Sequence, residues 1–331
     1  MSGRIVIGVG ASHTTLMNTR WAEVDHLGEA HRFRDALGEA RVELESAGVD
    51  LVVVIGSNHF RGLWLDLMPS FTLGVGELVG EGEHGTPSGP LPTDPAAARI
   101  LCSELVGAGF DLAQSGSLRV DHGITHAVQY VVPPGTPVLA LVVNCFAPPL
   151  PPLWRCLDLG RALAGAVAAL PGDTRVGVVA TGGLSHALPF PDWRDPVTDD
   201  DHFLVDSWIH GRGRWREYEQ RRRSIILAAT PAIAEDLDRD FLAALGEGET
   251  SGWAAEREGG VLETQGGNGA AELRSWLVMA AALGHAPGRT LAYSPVPQWL
   301  TGMAVAVVGR PDPVTAGGGD HNHTQPTGEP K

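Results

Sequence analysis

Residues 51–59 read LVVVIGSNH: five apolar residues, four of them β-branched, stopped by a Gly-Ser turn that delivers a histidine. A run with no polar alternation fits a strand buried on both faces, as in parallel sheets. The same design recurs at 5–13, IVIGVGASH, and at 176–186, VGVVATGGLSH. Two further apolar runs, Val138–Val143 and Met303–Val308, lack the histidine but share the strand character. Helical patterns fall between them at Phe33–Ala47, Pro95–Val106, Leu157–Leu170, Pro231–Leu245 and Ala270–Leu283. Strands alternating with helices predict an α/β fold, a three-layer sandwich with a central mixed, largely parallel sheet covered by helices on both faces. Residues 1–309 are expected to form a single domain. The Gly- and Pro-rich segment Phe71–Pro95 and the Pro- and Asp-rich segment Pro189–Asp201 read as long surface loops. The tail from Arg310 to Lys331 has no apolar period and is expected to be disordered, with His321 and His323 idle in it.

The carboxyl ends of parallel strands line one sheet edge, where ligand sites form. His13, His59 and His186 are therefore expected to converge, and converging imidazoles point to a metal. His122 follows Asp121 in VDHGITH, a carboxylate able to orient an imidazole or cap a turn. His126 lies four residues on, but Gly-Ile-Thr is a poor helix, so His126 reads as a structural neighbour or a support. Gly8 and Gly10 imitate part of a dinucleotide fingerprint, yet no phosphate cradle follows.

In GGNGAAELRSWLVMAAAL, Asn268 is expected to cap a helix that places Glu272, Trp276, Met279 and Leu283 on one face. An inward glutamate among apolar neighbours needs a cation, which makes Glu272 a candidate ligand and Glu263 its rival. Two histidines and a carboxylate suit Fe(II) with open coordination positions; histidines beyond those two are free for proton transfer.

A net charge of −15 disfavours nucleic acid and anionic membranes. The one basic stretch, Arg212–Arg223, carries Glu217 and Glu219 among its arginines and reads as a solvated helix or loop. Three cysteines without paired spacing argue against a disulfide framework or a thiolate zinc site. No run approaches a membrane span, and the expected location is the cytoplasm.

Taken in order, the motifs ASHTTL, SNHFRGLWLDLMPSFTLGVG, VDHGITHAVQYV, TGGLSHALPFP, AELRSWLVMAAALG and SPVPQWLTGM span nearly the whole chain. Together they resemble the class III extradiol ring-cleavage dioxygenases. The resemblance implies Fe(II) held by His13, His59 and Glu272, an acid and base pair in His122 and His186, a substituted catechol and dioxygen as reactants, and a homo-oligomer. It favours Glu272 over Glu263. Asn58, Thr14 and Thr15 depart from the pattern near the expected pocket and leave the catechol's substituent open; Arg61 could meet a substrate carboxylate or lie at the surface. A zinc hydrolase and a non-catalytic metal-binding relative are the competing readings.

Overall fold

Parallel strands buried on both sides need helices over each face, and among the described residues the chain supplies them around one nine-stranded sheet. A computed structural model describes residues 2–25 and 27–309; the expectations for the tail and its two histidines lie outside them. The strands are β1 (Arg4–Ala11), β2 (Leu51–Gly56), β3 (Phe71–Glu81), β4 (Ser88–Pro90), β5 (Ala113–Val120), β6 (Val138–Val143), β7 (Arg175–Thr181), β8 (Gly288–Val296) and β9 (Thr301–Gly309). Their order is β4-β3-β6-β2-β7-β1-β9-β8, with β5 paired to β3. The central four, β6-β2-β7-β1, run parallel, whereas β9 and β8 on one side and β3 on the other join antiparallel.

Each central strand splits its side chains between two cores. Val53 and Ile55 of β2, Leu139 and Leu141 of β6, and Val178 and Ala180 of β7 pack with the helices Pro95–Gly107, Leu153–Ala168 and Leu273–Ala282. Val52 and Val54, Val138 and Ala140, and Val179 pack on the other face with the helices Leu27–Ser46 and His122–Tyr130. This two-residue alternation is what makes three layers. No described helix is long and apolar enough to cross a membrane.

Several expectations are corrected. Phe71–Pro95 is not one long loop: Gly74, Gly76 and Gly80 sit inside β3, where a Cβ on Gly76 would lie 2.1 Å from the Gly116 carbonyl oxygen of β5 and one on Gly80 2.3 Å from that of Pro87. They serve close strand approach rather than turns. Pro189–Asp201 is irregular only to Thr198, which caps a helix over Asp199–His210; three aspartates in its first turn suit the positive helix end. The Arg-rich segment forms the helix Trp215–Leu227, solvated along Arg216, Glu217, Gln220 and Arg221 but with Trp215 and Arg222 buried on its inner side. Asn268 opens a short 3₁₀ turn, Asn268–Glu272, ahead of the helix Leu273–Ala282; its side chain accepts from the Leu188 N–H and donates to the Leu188 and Phe190 carbonyls, tying down the loop after β7.

Gly8 and Gly10 also find their use in packing. A Cβ on Gly10 would lie 2.1 Å from Cζ3 of Trp276, and one on Gly8 2.6 Å from Cδ1 of Leu283. Their missing side chains let the helix that follows Glu272 lie directly on β1. Gly10→Ala is expected to cost roughly 1–3 kcal/mol by overpacking, read as a lowered urea midpoint; an unchanged midpoint would show that Trp276 has room to move.

Candidate active site

Because β7 lies between β1 and β2, and Ala11 pairs with Thr181 while Ile55 pairs with Ala180, the three strands end level at one edge of the sheet. Each then continues through a serine. Ser12 Oγ accepts from the Ala304 N–H at 2.9 Å, Ser57 Oγ donates to Glu272 Oε1, and Ser185 binds Asp238 through both its N–H (2.7 Å) and its hydroxyl (2.9 Å). These anchors fix where His13, His59 and His186 leave the sheet, and all three line one pocket.

Glu272 reaches the same point from the far side. Gly182, at φ 131°, gives it space, since a Cβ there would sit 2.6 Å from Glu272 Cβ. The carboxylate is 1 % exposed; Oε2 accepts the Gly183 N–H at 2.9 Å, and Oε1 lies 3.2 Å from His13 Nε2 and 3.5 Å from His59 Nε2. Burial alone would raise the Glu272 pKa, but His13 and His59 hold it well below the usual carboxylate range. Glu263, the rival, is engaged elsewhere, accepting from Arg274 at 2.6 Å.

Donors on a first-row divalent ion at about 2.1 Å and at right angles stand about 3 Å apart, close to the two spacings around Glu272 Oε1. Both ring nitrogens of His13 are buried without a hydrogen bond; its Nε2 is near Glu272 yet poorly aligned for one. A buried carboxylate, an imidazole with no partner and a second imidazole aimed at the same oxygen fit a divalent metal. His59 Nδ1 faces Asp121 Oδ1 at 3.3 Å, an outer carboxylate that orients the ring. Burial works against a charged His59, but Asp121 and Glu272 outweigh it and raise it to about 9.

His122 brings a ring nitrogen within 4.8 Å of those of His13 and His59. Its ring, however, stacks on His59 with centroids 3.9 Å apart and planes 25° apart. Nitrogens of stacked rings point along parallel lines instead of converging on one ion, so the stacking counts against His122 as a third ligand beside His13 and His59. His186 sits against Gly183 and Gly269, its Nδ1 3.1 Å from the Leu184 carbonyl and its Nε2 3.8 Å from Glu272 Oε2. Burial lowers the pKa of both rings, that of His122 strongly.

The segment after Asp121 is a helix, His122–Tyr130, against expectation. Asp121 overrides the weak propensity of Gly-Ile-Thr by capping Gly123 N–H, and it also accepts the His59 N–H at 2.6 Å. His126 therefore sits one turn beyond His122. It is buried, burial pushes its pKa down to about 3, and its Nε2 has no partner.

Arg61, His84 and Glu219 complete the wall, with Arg222 behind it. Arg61 is buried, not at the surface, and forms a two-pronged pair with Glu219, which also binds His84 Nε2 at 2.7 Å. Arg222, fully buried, donates to the main-chain oxygens of His59 (2.8 Å) and Phe60 (3.0 Å). Only the alternating Arg and Glu of 212–223 hinted at this packing. The pocket spans about 660 Å³ including its open mouth, with Thr14, Leu188, Phe190, Ile226 and Trp299 around the histidines.

Residues 10–304 match the family described as the catalytic LigB subunit of aromatic ring-opening dioxygenase, and the chain belongs to that family. Among curated proteins, it is 31 % identical over 312 residues to the 2,3-dihydroxyphenylpropionate/2,3-dihydroxicinnamic acid 1,2-dioxygenase of Mycolicibacterium smegmatis, covering 89 % of this chain and 95 % of that one. It is 32 % identical over 289 residues to the enzyme of the same name from Rhodococcus jostii, covering 82 % and 88 %. A solved structure of an uncharacterized Escherichia coli K12 protein superposes with a TM-score of 0.48 at 13 % identity, over 92 % of this chain and all of that one.

Removing Arg222 would strand two carbonyls and leave Glu219 and Asp121 less compensated. Arg222→Met is expected to cost about 3–5 kcal/mol, whereas Arg214→Met, on the exposed side of the same segment, should change stability by less than about 0.5 kcal/mol. Equal urea midpoints for the two variants would refute the inward role of Arg222.

Proposed function

We propose that the protein is a ferrous-iron extradiol dioxygenase that opens the ring of a substituted catechol, with His13, His59 and Glu272 as the iron ligands and His122 and His186 as the proton-transfer pair. The observation that carries this reading is the buried Glu272 oxygen facing two imidazole nitrogens at 3.2 and 3.5 Å. Family membership supplies the reaction class, and the printed names of the relatives support a catechol carrying a side chain.

When bound, ferrous iron supplies open positions beside its three protein donors and the one-electron chemistry that dioxygen requires. The chain's own residues do the rest. His122 and His186, buried and held neutral by that burial, line the same pocket as the three proposed ligands, so either can accept a proton from a catechol hydroxyl and return it later. Leu188, Phe190 and Trp299 give the planar ring an apolar seat and exclude water. The Asp121 carboxylate keeps the outer nitrogen of His59 occupied, so that its Nε2 stays directed at Glu272.

Oxygen uptake on mixing anaerobic, Fe(II)-loaded protein with a panel of substituted catechols tests the reading. Stoichiometric uptake with a coloured ring-opened product is expected; hydrolysis without uptake would instead favour the zinc alternative. His122→Ala and His186→Ala should each retain iron while turnover falls by roughly 10²–10⁴-fold. Glu272→Gln should lose both iron and turnover. Iron loss from His122→Ala would show that its role is misassigned.

A further inference from the structure

Glu83 lies directly behind His122, away from the metal position and the substrate pocket. It is 2 % exposed, on the short 3₁₀ turn Glu83–Gly85, entered through Gly82 at φ 73° and holding His84 at φ 49° in its middle. Positive φ at a non-glycine residue is uncommon and persists where surrounding contacts enforce it. Here Glu219 holds the His84 ring, and the Thr86 hydroxyl donates to the Glu83 main-chain oxygen at 2.7 Å. The turn is thus built so that one carboxylate points inward.

That carboxylate meets His122 twice. Glu83 Oε1 accepts the backbone N–H of His122 at 2.5 Å and faces His122 Nδ1 at 2.9 Å. Burial pushes the Glu83 carboxyl up to about 7, and once it is ionised an oxygen already accepting a backbone N–H can only accept again, which makes the ring nitrogen opposite it the donor. Glu83, Asp121 and His122 are close enough to suggest a second metal site. Arg61 already supplies positive charge there, however, and the Asp121 oxygens are taken by His59 and Gly123.

We propose that Glu83 is a positioning residue that locks His122 in the Nδ1–H tautomer, turns its bare Nε2 lone pair toward the pocket and thereby makes His122 a proton acceptor at the start of the reaction. The hydroxyl O–H bond of the substrate breaks with its electron pair left on oxygen, an N–H bond forms at His122 Nε2, and the resulting imidazolium faces the Glu83 carboxylate. The same proton is available for return to a reaction oxygen later. His186 has no carboxylate on its outer nitrogen: its Nδ1 faces the uncharged Leu184 carbonyl at 3.1 Å and the Thr301 hydroxyl at 3.3 Å, and the one carboxylate near its Nε2, Glu272 at 3.8 Å, is the proposed metal ligand. A carboxylate stabilises an imidazolium more strongly than a carbonyl does, which separates the two histidines by role.

The proton's destination rests on the ring-opening reading; the tautomer does not. Zn(II)-loaded protein labelled with ¹⁵N-histidine, at about pH 8, is read by long-range ¹H–¹⁵N correlation. Wild type is expected to show a protonated Nδ1 and a bare Nε2 on His122, and Glu83→Gln to show a shifted or mixed pattern. In the Fe(II) enzyme, Glu83→Gln should lower kcat at least about tenfold with metal content unchanged and KM within about twofold, and Glu83→Asp, which keeps the charge, should recover part of the loss. An Nε2–H tautomer in wild type, or a Glu83→Gln enzyme with unaltered pattern and kcat, overturns the proposal. If Glu83→Gln does not fold, the wild-type spectrum and Glu83→Asp still decide. Absence of turnover with every catechol, alongside the expected tautomer, would refute the ring-opening reading alone.

Discussion

One glutamate oxygen, shut away from water and facing two imidazole nitrogens, is the constraint around which this structure is arranged. A carboxylate so placed is unfavourable unless positive charge meets it. The sheet supplies the positions from which that charge can come. β7 separates β1 from β2, the three strands end in register, and a serine in each following turn fixes the departure of the histidine. Glycines at 8, 10 and 182 then let Glu272 and the helix that follows it approach closely enough to complete the set.

Behind this first ring of donors lies a second layer of buried charge. Asp121 orients His59, Glu83 faces His122, and Arg61 and Arg222 offset the two acids while bonding to the backbone of residues 59 and 60. Glu219 closes the layer by binding Arg61 and His84 together. The helix Trp215–Leu227 is therefore part of the site's support, although it follows the sheet's histidine turns by a long excursion in sequence. Pairing of this kind makes single removals costly, because each leaves an uncompensated partner in a dry environment.

Much of this was legible in the residues. Apolar runs ending in a serine and a histidine gave the sheet edge and three of the converging side chains, and an inward face at Glu272 gave the carboxylate. The rest was hidden for physical reasons. Glycines in Phe71–Glu81 look like turn formers, yet they serve a strand packed close to Gly116 and Pro87. Gly-Ile-Thr after His122 has little helix propensity, and Asp121 overrides it by capping. Arg61, Glu219 and Arg222 look like solvent-facing charges because nothing local records that they pair across 158 residues or bind distant carbonyls. Asn268 could cap a helix, and only the fold shows that it ties down the loop after His186 instead.

Anomalous diffraction at the iron edge, from crystals of the protein loaded with Fe(II) under anaerobic conditions, tests the central arrangement most directly. A single peak within bonding distance of His13 Nε2, His59 Nε2 and Glu272, with His122 and His186 outside that distance, is the predicted result. A peak bound by His122, or none between the two histidines and the glutamate, would contradict the account.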